Sequence, residues 1–219
     1  MSATLISHSV PVNKDFGETL LENVAFCARV SNPSNQDNTL TSERLVKYLM
    51  KHDHWSPLEM VSVCLEIVTT RDIARQMLRH RSFSFQEFSQ RYAVADIGVD
   101  IREARLQDNQ NRQNSIETDD EELNTMWSDK QKELVDHAKS TYEWALENGI
   151  AKEQARVVLP EGNTMSRLYM NGTLRSWIHY IRLRSGNGTQ KEHKHIAVAC
   201  AHAISDVFPM IMSFVEETS

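Results

Sequence analysis

The chain of 219 residues can bury a substantial core, in one large domain or two small ones. Its 40% hydrophobic and 25% charged residues are ordinary for a globular protein, and 24 Lys+Arg against 30 Asp+Glu leave a net charge of -6. That balance disfavours the long basic face of a non-specific nucleic-acid binder, yet permits a local arginine pocket for a small anion.

Cys27, Cys64 and Cys200 are far apart and form no C-x-x-C pair, against a disulfide framework or structural zinc and in favour of a reducing compartment. The first residues lack the basic-then-apolar pattern of a signal peptide. No apolar run approaches the roughly 18 residues of a membrane span, so a cytoplasmic protein is expected.

In chain order, residues 5–10 read as an opening strand. Over 16–30, Leu20, Leu21, Val24, Ala25 and Ala28 recur at helical spacing until Asn32-Pro33. A second helix spans 42–50, with Thr41 or Ser42 as its cap, and stops before Pro57. Residues 60–69 alternate, with Val61, Val63, Leu65 and Ile67 on one face and Ser62, Cys64 and Glu66 on the other, as in a half-buried strand. A helix over 71–81 follows, capped by Thr69 or Thr70. At about 100° per residue its apolar arc holds Ile73, Ala74, Met77 and Leu78, and its polar arc Arg71, Asp72, Arg75, Gln76, Arg79 and His80. Arginines at i, i+4 and i+8 repel one another: they are either solvated or set against something anionic.

Residues 107–122 are polar and read as an exposed insertion with no evident chemistry, feeding an amphipathic helix over 123–148 that ends at Gly149. Arg156 precedes the apolar run Val157-Val158-Leu159-Pro160 and is expected at a core edge. Residues 169–173 read as a strand or turn entering a helix over 173–184, which buries Leu174, Trp177, Ile178 and Ile181 and offers Arg175, His179 and Arg182 elsewhere. A last helix spans 190–208, with Ile196, Cys200, Ala203, Ile204 and Val207 inward. No internal repeat is evident in the sequence.

No metal site is expected. His52/His54 and His193/His195 are i, i+2 pairs, which a helix points about 200° apart; the second pair reads as solvated, and the first has no third ligand nearby. Cys64 lies mid-strand and Cys200 mid-helix, the settings of inert thiols. Glycine-rich Rossmann or P-loop motifs are absent. What remains is a set of arginines, Arg75, Arg79, Arg81, Arg91, Arg156, Arg175 and Arg184, whose planar forks suit phosphate groups.

These arginines fall in an organised pattern. R-H-R-x-x-S, four residues, then S-x-R is complete in Arg79, His80, Arg81, Ser84, Ser89 and Arg91. It resembles the signature of the flavin-dependent thymidylate synthases. Four further blocks resemble that family in family order: His54-Trp55-Ser56-Pro57, Ala74-Arg75-Gln76, Ala155-Arg156-Val157-Val158-Leu159-Pro160, and Arg175-Ser176 leading to Leu183-Arg184. The Pro-Cys-His of the cysteine-dependent synthases is absent.

The resemblance implies an α+β fold, an antiparallel sheet packed with long helices, in a single domain over 1–219 with its polar insertion around 107–122. It implies a homotetramer with FAD where subunits meet, and transfer of the one-carbon unit of 5,10-methylenetetrahydrofolate to C5 of dUMP, NADPH reducing the flavin. By the same resemblance Gln76, Arg79, Glu87, Ser89, Gln90, Arg91, Arg156 and Arg184 hold dUMP. His54, Ser56, Arg79, His80, Arg81, Glu87, Thr173, Arg175 and His179 line the flavin site. Arg184 is the catalytic group, facing the uracil edge and favouring ionisation at N3. No base adjoins Ser89 to make it a nucleophile, and it reads as a phosphate ligand. Gln86, Thr173, His179 and Gly188 depart from the common family residues and resemble viral and phage variants. Two other functions fit parts of the pattern: a protein that binds FAD and nucleotide without turnover, and a nucleic-acid module using Arg71, Arg75 and Arg79 with Phe83 and Phe85 as stacking groups.

Overall fold

Strand alternation builds the centre of the molecule. The computed structural model, which describes residues 1–96 and 98–215, contains a four-stranded antiparallel sheet in the order β1-β2-β6-β3. The strands are β1 (Ser2–His8), β2 (Ser62–Thr70), β3 (Phe83–Glu87) and β6 (Met165–Thr173); β4 (Arg105–Gln107) and β5 (Ser115–Glu117) pair separately as a hairpin. Val63, Leu65 and Ile67 of β2 and Leu168 and Met170 of β6 are fully buried on one face, each worth roughly 1.5–3 kcal/mol. The other face carries Cys64, Glu66, Arg167, Tyr169 and Asn171, partly or fully open, as an antiparallel sheet permits.

The central pair has a symmetric register. Ser62 lies opposite Thr173 and Thr70 opposite Met165, which puts Glu66 against Tyr169 at the midpoint; the Tyr169 hydroxyl donates to Glu66 Oε2 at 3.0 Å. Both strands end in a threonine and turn at once into a helix: β2 into α3 (Arg71–Met77), β6 into α6 (Leu174–Ser185). The structure thus shows a repeated strand–threonine–helix unit that sequence inspection does not find, because its apolar residues differ between the copies.

Helices close the buried face. α1 (Leu20–Ala28) and α2 (Ser42–Lys51) pack on one another, while α6 and α7 (Lys191–Ser205) cover the sheet with Trp177, Ile178, Ile181, Ile196, Ala197, Cys200 and Ile204. α1 is shorter than the periodicity suggests. Thr19 and Glu22 form a reciprocal capping box, which starts the helix at Leu20 and leaves Lys14–Phe16 as a separate 3-10 turn. α4 (Glu121–Glu147) ends with Gly149 at φ 76, the left-handed stop that the sequence predicts. The short α5 (Lys152–Ala155) leads into a 3-10 turn, Arg156–Val158.

Two expectations are corrected, and one reading left open is decided. α3 stops at Met77, since His80 N–H reaches back to Met77 carbonyl at 2.9 Å and the tightened turn directs Phe83 into β3. Phe83 then lies against β6 at Gly172, where an added Cβ would come within 2.4 Å of its ring, so only glycine fits. Of the two readings of the arginine arc, Arg71 follows the anionic one: its side chain is only 8% exposed and meets Glu87 and Glu161 at 3.6 and 3.4 Å. Val157 is 83% exposed rather than buried, because the 3-10 turn points it away from the core.

The insertion is a hairpin rather than a plain loop. Asp108 orders its tip by accepting from the backbone N–H groups of Gln110 and Asn111. Lys191 at the start of α7 reaches Glu103 at 2.7 Å and Glu117 at 2.5 Å, clamping the hairpin to the helix.

Candidate active site

The segment after α3 and the end of α6 meet. Arg184 Nε donates to His80 Nε2 at 3.0 Å. For His80 to accept there, its proton must sit on Nδ1. Burial, helped by the nearby Arg184 guanidinium, lowers His80 from 6.5 to about 4, so the ring is neutral near pH 7. Arg184 has no carboxylate partner among the described residues, and its terminal Nη groups make no hydrogen bond there. A half-buried guanidinium held by a neutral acceptor keeps its full charge for something else.

Behind this pair is a polar chain, buried at Tyr180 and His193 and half-buried at Gln76 and Gln190. The Tyr180 hydroxyl and His193 Nε2 are 3.1 Å apart, His193 Nδ1 and Gln76 Oε1 are 3.1 Å apart, and Gln76 Nε2 donates to Gln190 Oε1 at 2.8 Å. His193 is fully buried, which corrects its expected place on a solvated surface. It lies on the same stripe of α7 as Ile196, Ala197, Cys200 and Ile204, and that periodicity was the signal that could have found it. Burial first, then the Arg184 and His80 charges, bring its pKa to about 3. Burial also raises Tyr180 well above 10.0.

Other predicted dUMP ligands fall in two contact sets, one at Glu87 and one joining Arg91 to Arg156 through Glu153. Glu87 accepts from Arg75 Nη1 at 3.1 Å and, through its other oxygen, from Ser166 Oγ at 2.9 Å. Arg91 pairs with Glu153 at 3.1 Å, and Arg156 Nε donates to the backbone carbonyl of that same Glu153. Ser89 is exposed and Gln90 buried, just after the edge strand β3.

Flavin candidates collect at the start of α6. Thr173 caps the helix, accepting from Ser176 N–H at 3.2 Å, so its hydroxyl is already engaged. Arg175 pairs with Glu59, and Ser176 Oγ donates to the Ser82 carbonyl at 3.4 Å. His179 packs against Trp55 with ring centroids 5.1 Å apart; burial, then Arg175 and Arg182, lower its pKa against the pull of Asp53. His54 and Ser56 are exposed, with Ser56 opening the 3-10 helix Ser56–Glu59. The side chains of Arg79, Arg81 and Arg182 have no ion pair or hydrogen bond among the described residues. Unpaired guanidiniums beside hydroxyls and aromatic rings are a donor set that suits the pyrophosphate and flat ring of a dinucleotide such as FAD.

A cavity of 650 Å³ lies between the hairpin and α7, lined in part by Arg105, Asn114, Gly188, Gln190 and Lys194. None of the candidate flavin or dUMP residues lines it.

Known proteins agree with this arrangement. The family model described as thymidylate synthase complementing protein matches residues 17–210. A probable flavin-dependent thymidylate synthase of Paramecium bursaria Chlorella virus 1 is 49% identical over 211 residues, covering 96% of this chain and 97% of the viral protein. A flavin-dependent thymidylate synthase of Synechocystis sp. is 47% identical, with 88% of each chain covered. In three dimensions the chain resembles the UMP/dUMP methylase PolB from Streptomyces cacaoi bound with 5-Br dUMP, at a TM-score of 0.79 and 26% identity over 97% of this chain and 93% of that one. With the signature, the sheet and the helices all in place, this chain belongs to the thymidylate synthase complementing protein family, that of the flavin-dependent thymidylate synthases.

Proposed function

We propose that this protein is a flavin-dependent thymidylate synthase working as one domain over 1–219. It converts dUMP to dTMP with 5,10-methylenetetrahydrofolate as one-carbon donor and NADPH-reduced FAD as reductant. The observation that carries the reading is Arg184, a guanidinium without a carboxylate, held by an imidazole that stays neutral. Set against the uracil edge, its fixed charge stabilises negative charge at N3 and so raises the nucleophilicity of C5. Bound FAD supplies the hydride that completes the methyl group. Gln76, Glu87, Ser89, Gln90, Arg91 and Arg156 hold and orient dUMP. Arg79 serves both ligands, and His54, Ser56, His80, Arg81, Glu87, Thr173, Arg175 and His179 face the flavin.

The assembly is a homotetramer with shared sites, in the cytoplasm (the host's, for a viral member). Exposed Val157, Met126, Trp127 and Trp144 support such an assembly, since an unpartnered protomer gains nothing from presenting them to water. Among the described residues no helix is long and apolar enough to cross a membrane.

The deciding experiment is dTMP formation from dUMP and methylenetetrahydrofolate, with FAD and NADPH each supplied or withheld. Product requiring both is expected. A folded protein that binds FAD and dUMP but makes no dTMP would instead be a binding protein without turnover.

A further inference from the structure

From Gln76, which is proposed to touch substrate, a polar relay leads to an ion pair that has no evident part in the chemistry. Gln190 and Gln76 carry amides that can each face either way, His193 has two tautomers, and the Tyr180 hydroxyl can donate or accept. Four two-way groups in series need something to set their direction. One end of the series supplies it.

Glu192 is 7% exposed, and its Oε1 takes a hydrogen bond from Arg105 at the start of β4. Burial pushes this carboxyl up, but hydrogen bonds from Arg105, from its own backbone N–H and from the Gln190 side chain outweigh it and keep it ionised. Its Oε2 is buried and receives no hydrogen bond of ordinary length and angle, which favours turning the neighbouring Gln190 amide N–H that way. A carboxylate can only accept. Gln190 therefore shows its oxygen to Gln76, and Gln76 donates through Nε2, as the 2.8 Å contact has it. The Gln76 oxygen then faces His193 Nδ1, which must carry the proton, and Nε2 accepts from Tyr180. Reversing any member would set two acceptors or two N–H groups against each other, at a cost that is greatest at the fully buried His193 and Tyr180.

We infer that the Arg105–Glu192 pair is a positioning device, which fixes the direction of this relay and so holds Gln76 as a hydrogen-bond donor toward the pyrimidine. The polar insertion has a role through it, because Arg105 arrives on the hairpin that Lys191 clamps to α7. A fixed donor complements a carbonyl, and it discriminates against an amino group at the same place on the ring, which favours uracil over cytosine. The inference rests on the proposed placement of dUMP against Gln76; the direction of the relay does not.

The test uses full-length protein labelled with ¹⁵N-histidine, the His193 signals being identified by their loss in His193→Asn. Wild type is expected to show the Nδ1–H tautomer. Glu192→Gln, which can donate as well as accept, is expected to show mixed tautomers and a KM for dUMP raised about tenfold, as loss of one oriented hydrogen bond implies, with thermal midpoint and flavin spectrum kept. Tyr180→Phe removes the far end but not the anchor and should keep the Nδ1–H tautomer. An Nε2–H tautomer in wild type, or an unmixed tautomer in Glu192→Gln, overturns the relay. A mixed tautomer with unchanged KM upholds the relay and overturns the placement of dUMP against Gln76.

Discussion

The arginines of this protein divide into two populations with different surroundings. Arg71, Arg75, Arg91 and Arg105 each face a carboxylate, on Glu87, Glu161, Glu153 or Glu192. Arg79, Arg81 and Arg182 face none, and Arg184 has only a neutral imidazole. A neutralised guanidinium shares its attraction between the fold and a ligand, as proposed for Arg91 with dUMP and for Arg175, paired with Glu59, with the flavin, whereas an unneutralised one keeps it whole. The difference is not one of exposure, since Arg184 is half-buried and Arg91 exposed. It lies in the partner.

Substitutions in the two groups should separate. Arg184→Ala is expected to lower kcat about a thousandfold while FAD still binds, since it deletes the charge at the reacting ring. Turnover within a few fold of wild type would end its catalytic role. The same change removes a positive charge beside His80 and His193, so both imidazoles should titrate at higher pH, which NMR can follow. Arg71→Met should do the opposite, costing about 2 kcal/mol of stability in denaturant melts by stripping one of two arginine partners from half-buried Glu87. Acid probes the imidazoles. His80 and His193 are neutral when folded, with pKa values of about 4 and about 3, against 6.5 for an ordinary imidazole. Between those limits the unfolded chain binds protons that the folded one does not, so stability is full above about pH 6.5 and falls as pH drops toward 4. The loss by pH 4 is about 3 kcal/mol from fully buried His193 alone, with a smaller, solvent-screened addition from His80, and a flat stability profile over that window would refute the buried neutral pair. Arg79→Ala should have the mildest effect, raising the KM for dUMP about tenfold with an unchanged melting temperature.

Much of this was legible in the sequence. The alternation of β2 and the stripe of α6 gave their buried faces directly, and the fold brings His80 of the signature into contact with Arg184 of a separate block. The failures have physical causes. Helical periodicity ran past Met77 because Leu78 continues the apolar arc by chance of spacing, and periodicity cannot see the i→i+3 turn that redirects the chain. The wheel left Arg71 open between solvent and an anion, since it shows which way a side chain points but not the carboxylates brought to it from Glu87 and Glu161. His193 was hidden by its type: polar residues are discounted on an apolar stripe, and its partners Gln76 and Tyr180 lie on other helices. Val157 looked buried because composition, not geometry, was being read.

The symmetric register of β2 and β6 carries one more meaning. Arg79, Arg81 and Ser82 follow Thr70 by the same spacing as Arg182, Arg184 and Ser185 follow Thr173. Equal spacing after equal strands, around a midpoint at Glu66 and Tyr169, makes the two strand–helix units local equivalents of one another. Each unit carries a pair of arginines. Where the first has His80 between its arginines, the second has Leu183, and the two units touch where Arg184 of the second donates to the imidazole of the first.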